Sequence, residues 1–414
     1  MRRFPILFLA FCGTAFPGGP TVARPEAAGL SSDRLARLTA AMRGYIDRQE
    51  VAGTITLVAR RGQVVHLEAQ GVMDVDTKAP MKRDSIFRMA SMTKPITSVA
   101  VMMLAEEGRF QLTDPVSRYL PEFKDPKVMV ANFPGSSREG TRLVPADREI
   151  TIQDLLTQTA GLATNTATLL HAEWEKFQKE RSPEEDIAGY TRRLARLPLH
   201  FQPGTAWEYG PATDVLGRLV EAVSGQRFDR FLAERIFRPL EMNDTFFYVP
   251  DDKLGRLATI HERVTPKGVR VMRPAREMRG SQVFFSGAGG LSSTADDYWR
   301  FCQMLLNGGT FNGARLLGRK TVELMTTNQI GNLPIWPDLA GYRFGLGFRV
   351  LADVGRSGQQ GSIGSYGWGG AFGTYFFIDP KEEMIGILLI QMRSTSHLNI
   401  RPDLISLAEQ AITD

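Results

Sequence analysis

The strand-like segments of this 414-residue chain fall into two groups at its opposite ends, and this separation limits the possible folds more than any other feature. Near the start, "TITLVAR" and "QVVHLEAQG" are β-branched runs on either side of "RRG", the pattern of a hairpin. Near the end come "FGLGFRVLA", "AFGTYFFID" and "EMIGILLIQM", the last two flanking "PKEE" as a second antiparallel hairpin. Neither group has enough strands to close a core alone, so both are expected in one antiparallel sheet. Helical spacing of Leu35, Leu38, Met42, Tyr45 and Ile46 after a capping Ser31, and a last helix from about 398, supply helices to flank it. The stretch between holds helical runs such as "IQDLLTQTAGL", "DVLGRLVEAVSG" and "DDYWRFCQMLLNGG", with a polar Gly- and Pro-rich loop at roughly 124–149. The expected fold class is therefore α/β of the α+β kind. Its sheet and flanking helices come from 24–108 and 315–414, a mainly helical lobe spans 109–314, and a cleft lies between them.

Composition excludes several classes of function. Hydrophobic residues make up 43% and charged residues 23%, as in an ordinary globular protein. Of the 50 cationic residues 39 are Arg, scattered with no block of five, so a nucleic-acid partner is not expected. Residues 1–23 run from "MRR" through the apolar "FPILFLAFCGTAF" to small residues near Ala23, the layout of a signal peptide. Export to the periplasm or beyond is the expectation, and an unprocessed leader would leave the chain in the cytoplasm. No stable membrane insertion is expected. Cleavage would remove Cys12 and leave Cys302 without a disulfide partner.

The segment "RMASMTKPITSVAVMMLAEEG" places a polar pair in an otherwise apolar helix. Ser91 and Lys94 stand at i and i+3, so they share a face and can touch. A serine hydroxyl needs a base to take its proton, and burial favours the neutral form of a lysine amine that could serve. The first turn of a helix tolerates Pro95 and leaves N–H groups free, so Ser91 sits where a developing oxyanion could be held. With 20 serines and 11 lysines in the chain, an S-x-x-K match carries little by itself.

Its surroundings carry more. S-x-x-K marks β-lactamases and penicillin-binding proteins, and "DSIFRMASMTKPITSVAVMMLAEEGRFQLTDPVSRYLPEF" closely resembles the active-site helix of the serine β-lactamase family. "TIQDLLTQTAGL", "FQPGTAWEYG", "GAGGLSSTADDYWRFCQMLLNGG" and "YGWGGAFGTYFFIDP" resemble its later blocks, in order, from about residue 26 to 410. The resemblance implies a proton-transfer tyrosine at Tyr209. It also implies an oxyanion hole formed by the N–H groups of Ser91 and Ala371. Pro211 stands where β-lactamases carry a substrate-binding asparagine. Trp368, Gly369 and Gly370 replace their K-T-G, in the W-x-G form of the family VIII carboxylesterases. Gln158 and Ala160 depart from a common His and Ser, and are read as supporting the cleft wall. Trp207 and Trp336 are candidates to line an acyl pocket.

The expectation is a serine carboxylesterase that hydrolyses short-chain esters through an acyl-enzyme, with weak β-lactam hydrolysis beside it. Ser91, Lys94 and Tyr209 would be its catalytic residues, and Trp368, Gly369, Gly370 and Trp207 its substrate contacts. The partner is a small-molecule ester, and β-lactams stand as a second substrate class. No cofactor is required. No metal is expected either, because the histidines at 66, 171, 200, 261 and 397 show no H-x-x-x-H spacing. The alternatives are a class C-like β-lactamase or D-alanyl peptidase, and a non-catalytic penicillin-recognising receptor or scaffold.

Overall fold

The computed structural model describes residues 20–132, 140–164, 168–264, 268–273 and 281–414. The first 19 residues of the expected leader lie outside this set, as does the middle of the expected 124–149 loop. No helix among the described residues is long and apolar enough to cross a membrane.

Seven strands form one antiparallel sheet drawn from both chain ends. We number them β1 (Gly53–Arg60), β2 (Gln63–Gly71), β3 (Tyr342–Phe344), β4 (Arg349–Leu351), β5 (Tyr366–Gly369), β6 (Tyr375–Asp379) and β7 (Met384–Leu389). Their order is β3-β4-β5-β6-β7-β1-β2, so the two ends meet where Ile55 of β1 lies opposite Leu389 of β7. Alternation along β6 shows how both faces are filled. Phe377 joins a core with Leu38, Met42 and Leu404, whereas Phe376 and Ile378 join the larger core on the other side. Helices α1 (Ser32–Asp47) and α6 (Ile400–Glu409) cover the first face, and the Ser31 side chain caps α1.

The second face receives α5 (Ala295–Leu306), where Tyr298 packs on Phe376 at 5.1 Å. Beyond it lies α2 (Thr93–Glu106), buried continuously from Thr93 to Leu104, with α4 (Ala212–Ser224) against it. A helix buried all round needs no polar face, which accounts for the weak amphipathicity of "VAVMML".

Beside its helices the insert holds short antiparallel ribbons. Lys127–Ala131 pairs with Thr141–Pro145, and Ile260–Arg263 pairs with Val269–Arg273. The first ribbon falls inside the expected loop. "KVMVA" has strand-forming residues, but the Gly- and Pro-rich neighbours hid a run of only five.

Candidate active site

Ser91 lies in the single turn Ala90–Met92 that leads into α2. Two contacts fix that turn. The Tyr298 hydroxyl donates to the Met92 carbonyl at 2.8 Å, and the Met89 carbonyl accepts from Thr374 Oγ1 at 3.2 Å. Ala90 has φ +46°, a conformation alanine rarely adopts, and this strained residue directly precedes Ser91. Lys94 falls in the first turn of α2 and is 4% exposed. Its Nζ donates to the Ala288 carbonyl at 2.8 Å and to Ser91 Oγ at 3.4 Å, and it stands 4.4 Å above the Tyr209 ring centre.

The Ala288 carbonyl is itself held in place. Asp214 of α4 accepts from the Ser286 hydroxyl at 2.7 Å and from the Ala288 N–H at 3.0 Å. Burial pushes the Asp214 carboxyl above its usual range, against the pull of those hydrogen bonds and of the nearby Lys94 charge. Sequence reading missed Asp214 and Ala288. An acidic residue on the apolar face of α4 was the available signal.

Tyr209 sits in the loop before α4, and Gln158 grips that loop on both sides of it. The Gln158 carbonyl accepts from Glu208 N–H at 3.0 Å, its side-chain oxygen accepts from Gly210 N–H at 3.1 Å, and its amide donates to Thr213 Oγ1 at 3.1 Å. Gln158 can reach all three because it ends the helix Ile152–Thr157 in the left-handed conformation, φ +62°. Glu208 is anchored in turn by His200 Nδ1 at 2.6 Å and Thr164 Oγ1 at 2.7 Å. The Tyr209 oxygen accepts from the indole N–H of Trp368 at 3.2 Å, so Lys94 meets this tyrosine through its ring and Trp368 through its oxygen.

Ser91, Tyr209, Trp368, Gly369, Gly370 and Ala371 all line one recess of about 250 Å³. Gly370 permits the close approach of the β5 edge to the serine turn. A Cβ there would lie 2.3 Å from the Met89 carbonyl oxygen and 2.2 Å from Thr374 Oγ1. Trp336 and Trp368 stack at 5.8 Å over this space. Trp207 lies behind them, 5.1 Å from Trp336 and 5.5 Å from Phe344, and is not among the recess-lining residues. Arg349 and Arg401 line the recess as well, and nothing in the motif reading pointed to them. The one trace of Arg349 in the sequence is a cation between Phe348 and Val350 in a strand-like run. Among the described residues no cluster of three or more His, Cys, Asp or Glu could hold a metal ion.

Comparison with known proteins adds the family context. A family model described as Beta-lactamase matches residues 38–410. Protein Rv1367c of Mycobacterium tuberculosis is 36% identical over 368 residues, covering 85% of this chain and 88% of that protein. Esterase EstB of Burkholderia gladioli is 29% identical over 408 residues, covering 93% and 95%. The solved structure of EstCE1, described as a hydrolase with promiscuous acyltransferase activity, superposes with a TM-score of 0.74 at 25% identity, covering 92% of this chain and 99% of that one.

Proposed function

The chain belongs to the beta-lactamase family, and from that premise we propose that it is a serine esterase acting on short-chain esters through an acyl-enzyme. Ser91 Oγ attacks the ester carbonyl carbon while Lys94 and Tyr209 share the proton it gives up. The carbonyl oxygen becomes an oxyanion, received by the N–H groups of Ser91 and Ala371. As the carbon–oxygen bond to the alcohol breaks, Tyr209 returns the proton to the leaving oxygen, and the acyl group remains on Ser91. Water then enters by the reverse route. It yields its proton to the same pair and attacks the acyl carbon, and Ser91 recovers a hydrogen as the acid departs.

The observation that carries this reading is the convergence on one serine. Lys94 Nζ lies 3.4 Å from Ser91 Oγ, Tyr209 lies beneath Lys94, and the recess opens at Ser91. The esterase reading is favoured over a β-lactamase one by Trp368, whose indole offers one N–H donor and no charge where the K-T-G motif has a lysine. That donor is already given to Tyr209. β-Lactam hydrolysis is accordingly proposed as weak.

Hydrolysis of p-nitrophenyl butyrate beside nitrocefin, with mass spectrometry after a fluorophosphonate, tests this. Ester turnover well above nitrocefin turnover and a label on Ser91 are expected. A label on another serine, or nitrocefin as the better substrate, would overturn the proposal.

A further inference from the structure

The turn from Ser286 to Gly290 lies between α2 and α4 and carries the carbonyl that receives Lys94. On the α2 side, Thr97 Oγ1 donates to the Gly287 carbonyl at 2.8 Å, and Thr93 Oγ1 accepts from Leu291 N–H at 3.1 Å. On the α4 side, a Cβ at Gly287 would stand 2.5 Å from the Thr213 carbonyl oxygen, so the turn is pressed against the helix. Asp214 of α4 completes the hold, accepting through one oxygen, Oδ1, from both the Ser286 hydroxyl and the Ala288 N–H. The Ser286 oxygen in turn accepts from Gly289 N–H at 3.1 Å.

Gly289 N–H and the Ala288 carbonyl are the two ends of one peptide unit. One chain of contacts therefore runs from Asp214 through the Ser286 hydroxyl and this peptide to Lys94 Nζ, and from there to Ser91 Oγ. Each hydrogen bond in such a chain polarises the next, so a satisfied N–H makes its carbonyl a better acceptor. Asp214 is buried in the same stretch of α4 as Val215, Leu216 and Leu219, and among the described residues it forms no ion pair. A buried carboxyl without a cation partner is unfavourable, and packing alone would be served better by an apolar residue. The last contact of the chain is slack. At 3.4 Å from Ser91 Oγ, Lys94 Nζ is near the outer limit of a hydrogen bond, and the Tyr209 ring at 4.4 Å offers it another place.

We infer that Asp214 and Ser286 are positioning residues for the proton transfer at Ser91, holding Lys94 Nζ within its reach through the peptide unit between Ala288 and Gly289. This rests on the serine-esterase reading above. Neither residue lines the recess, so both act through the lysine and should change the rate of the chemical step more than substrate binding. A displacement of about 1 Å at Nζ is enough to cost about a hundredfold in that rate.

Ser286→Ala removes the hydroxyl link and leaves the Asp214 bond to Ala288 N–H. Its kcat for p-nitrophenyl butyrate should fall by about ten- to a hundredfold, with KM within about twofold of the wild type. Asp214→Ala should lose at least as much. Asp214→Asn keeps an accepting oxygen in the place of Oδ1 and should recover about tenfold or more of that loss. A purely structural role would lower the melting temperature and leave kcat per folded molecule alone. Wild-type kcat in folded Ser286→Ala overturns the inference, and so does an Asp214→Asn enzyme as slow as Asp214→Ala. If Asp214→Ala does not fold, Ser286→Ala decides by itself. The rate at which a fluorophosphonate labels Ser91 separates this inference from the esterase reading. Slower labelling of Ser286→Ala than of the wild type keeps the positioning role even if no ester is hydrolysed, and equal rates overturn it.

Discussion

The indole N–H of Trp368 points at the phenol oxygen of Tyr209 from 3.2 Å, across the junction of sheet and helical insert. A donor aimed at that oxygen holds it at one place in the recess, facing the space beside Ser91. Trp368→Phe keeps most of the ring packing against Phe344 and Trp336 but removes the donor. We expect kcat for p-nitrophenyl butyrate to fall by about ten- to a hundredfold with KM little changed. Steady-state kinetics checks this, and an unchanged kcat would leave Trp368 as a wall residue only.

Ser91→Ala should abolish ester hydrolysis by several orders of magnitude and leave the melting temperature near that of the wild type. Lys94→Arg preserves the charge, but guanidinium stays protonated and cannot accept the serine proton. It should be about as inactive as Lys94→Ala. More than about a tenth of wild-type kcat in Lys94→Arg would reduce Lys94 to an electrostatic prop.

Gln158→Ala would leave the Gly210 N–H and the Thr213 hydroxyl without their partner, at a cost of about 1–3 kcal/mol in stability. Because the loss falls on the residues that directly follow Tyr209, while the Glu208 bond to the Gln158 main chain remains, kcat should drop more than KM rises. Denaturant unfolding and kinetics on one preparation read both effects. Loss of stability with kcat intact would mean that the loop holds Tyr209 without this clamp.

A pH effect on stability should come from Glu409. Burial first, and then the like charges of Asp379 and Glu382, push its carboxyl up to about 8, with Arg60 pulling the other way. One of its oxygens has no hydrogen-bond partner. The folded chain therefore keeps a proton that the unfolded chain has lost, and stability declines as pH rises from the ordinary carboxyl range to about 8. Glu409→Gln removes this decline. Melting curves should show the variant equal to the wild type near pH 5 and more stable above pH 8, by on the order of a few kcal/mol. Parallel curves at both pH values would refute it.

The sheet was legible in the sequence because β1, β2, β6 and β7 are long β-branched or aromatic runs bounded by turn signals. Strands β3 and β4 read as one run, since "FGLGF" hides a turn that Gly347 makes possible with φ +94°. The nearness of Ser91 to Lys94 follows from helical spacing alone, whereas Tyr209 and Trp368 could be placed only by resemblance. Arg349 and Arg401 were out of reach, because their meeting depends on how β4 and α6 cross at the recess and on no local pattern. Gln158 looked like a departure from a motif. Its role in gripping the Tyr209 loop depends on a left-handed backbone that glutamine does not announce.

The pairing of β1 with β7 also governs when the recess can exist. Ile55 cannot find Leu389 until the whole insert between them has been made, and without β7 the sheet has no link between its two parts. Closing so long a loop is slow, and the helical insert can gather its own local contacts first. The cavity at Ser91 is thus completed only after the insert has been made, and a chain that stops short of β5 carries the serine and the lysine without the edge that completes their cavity.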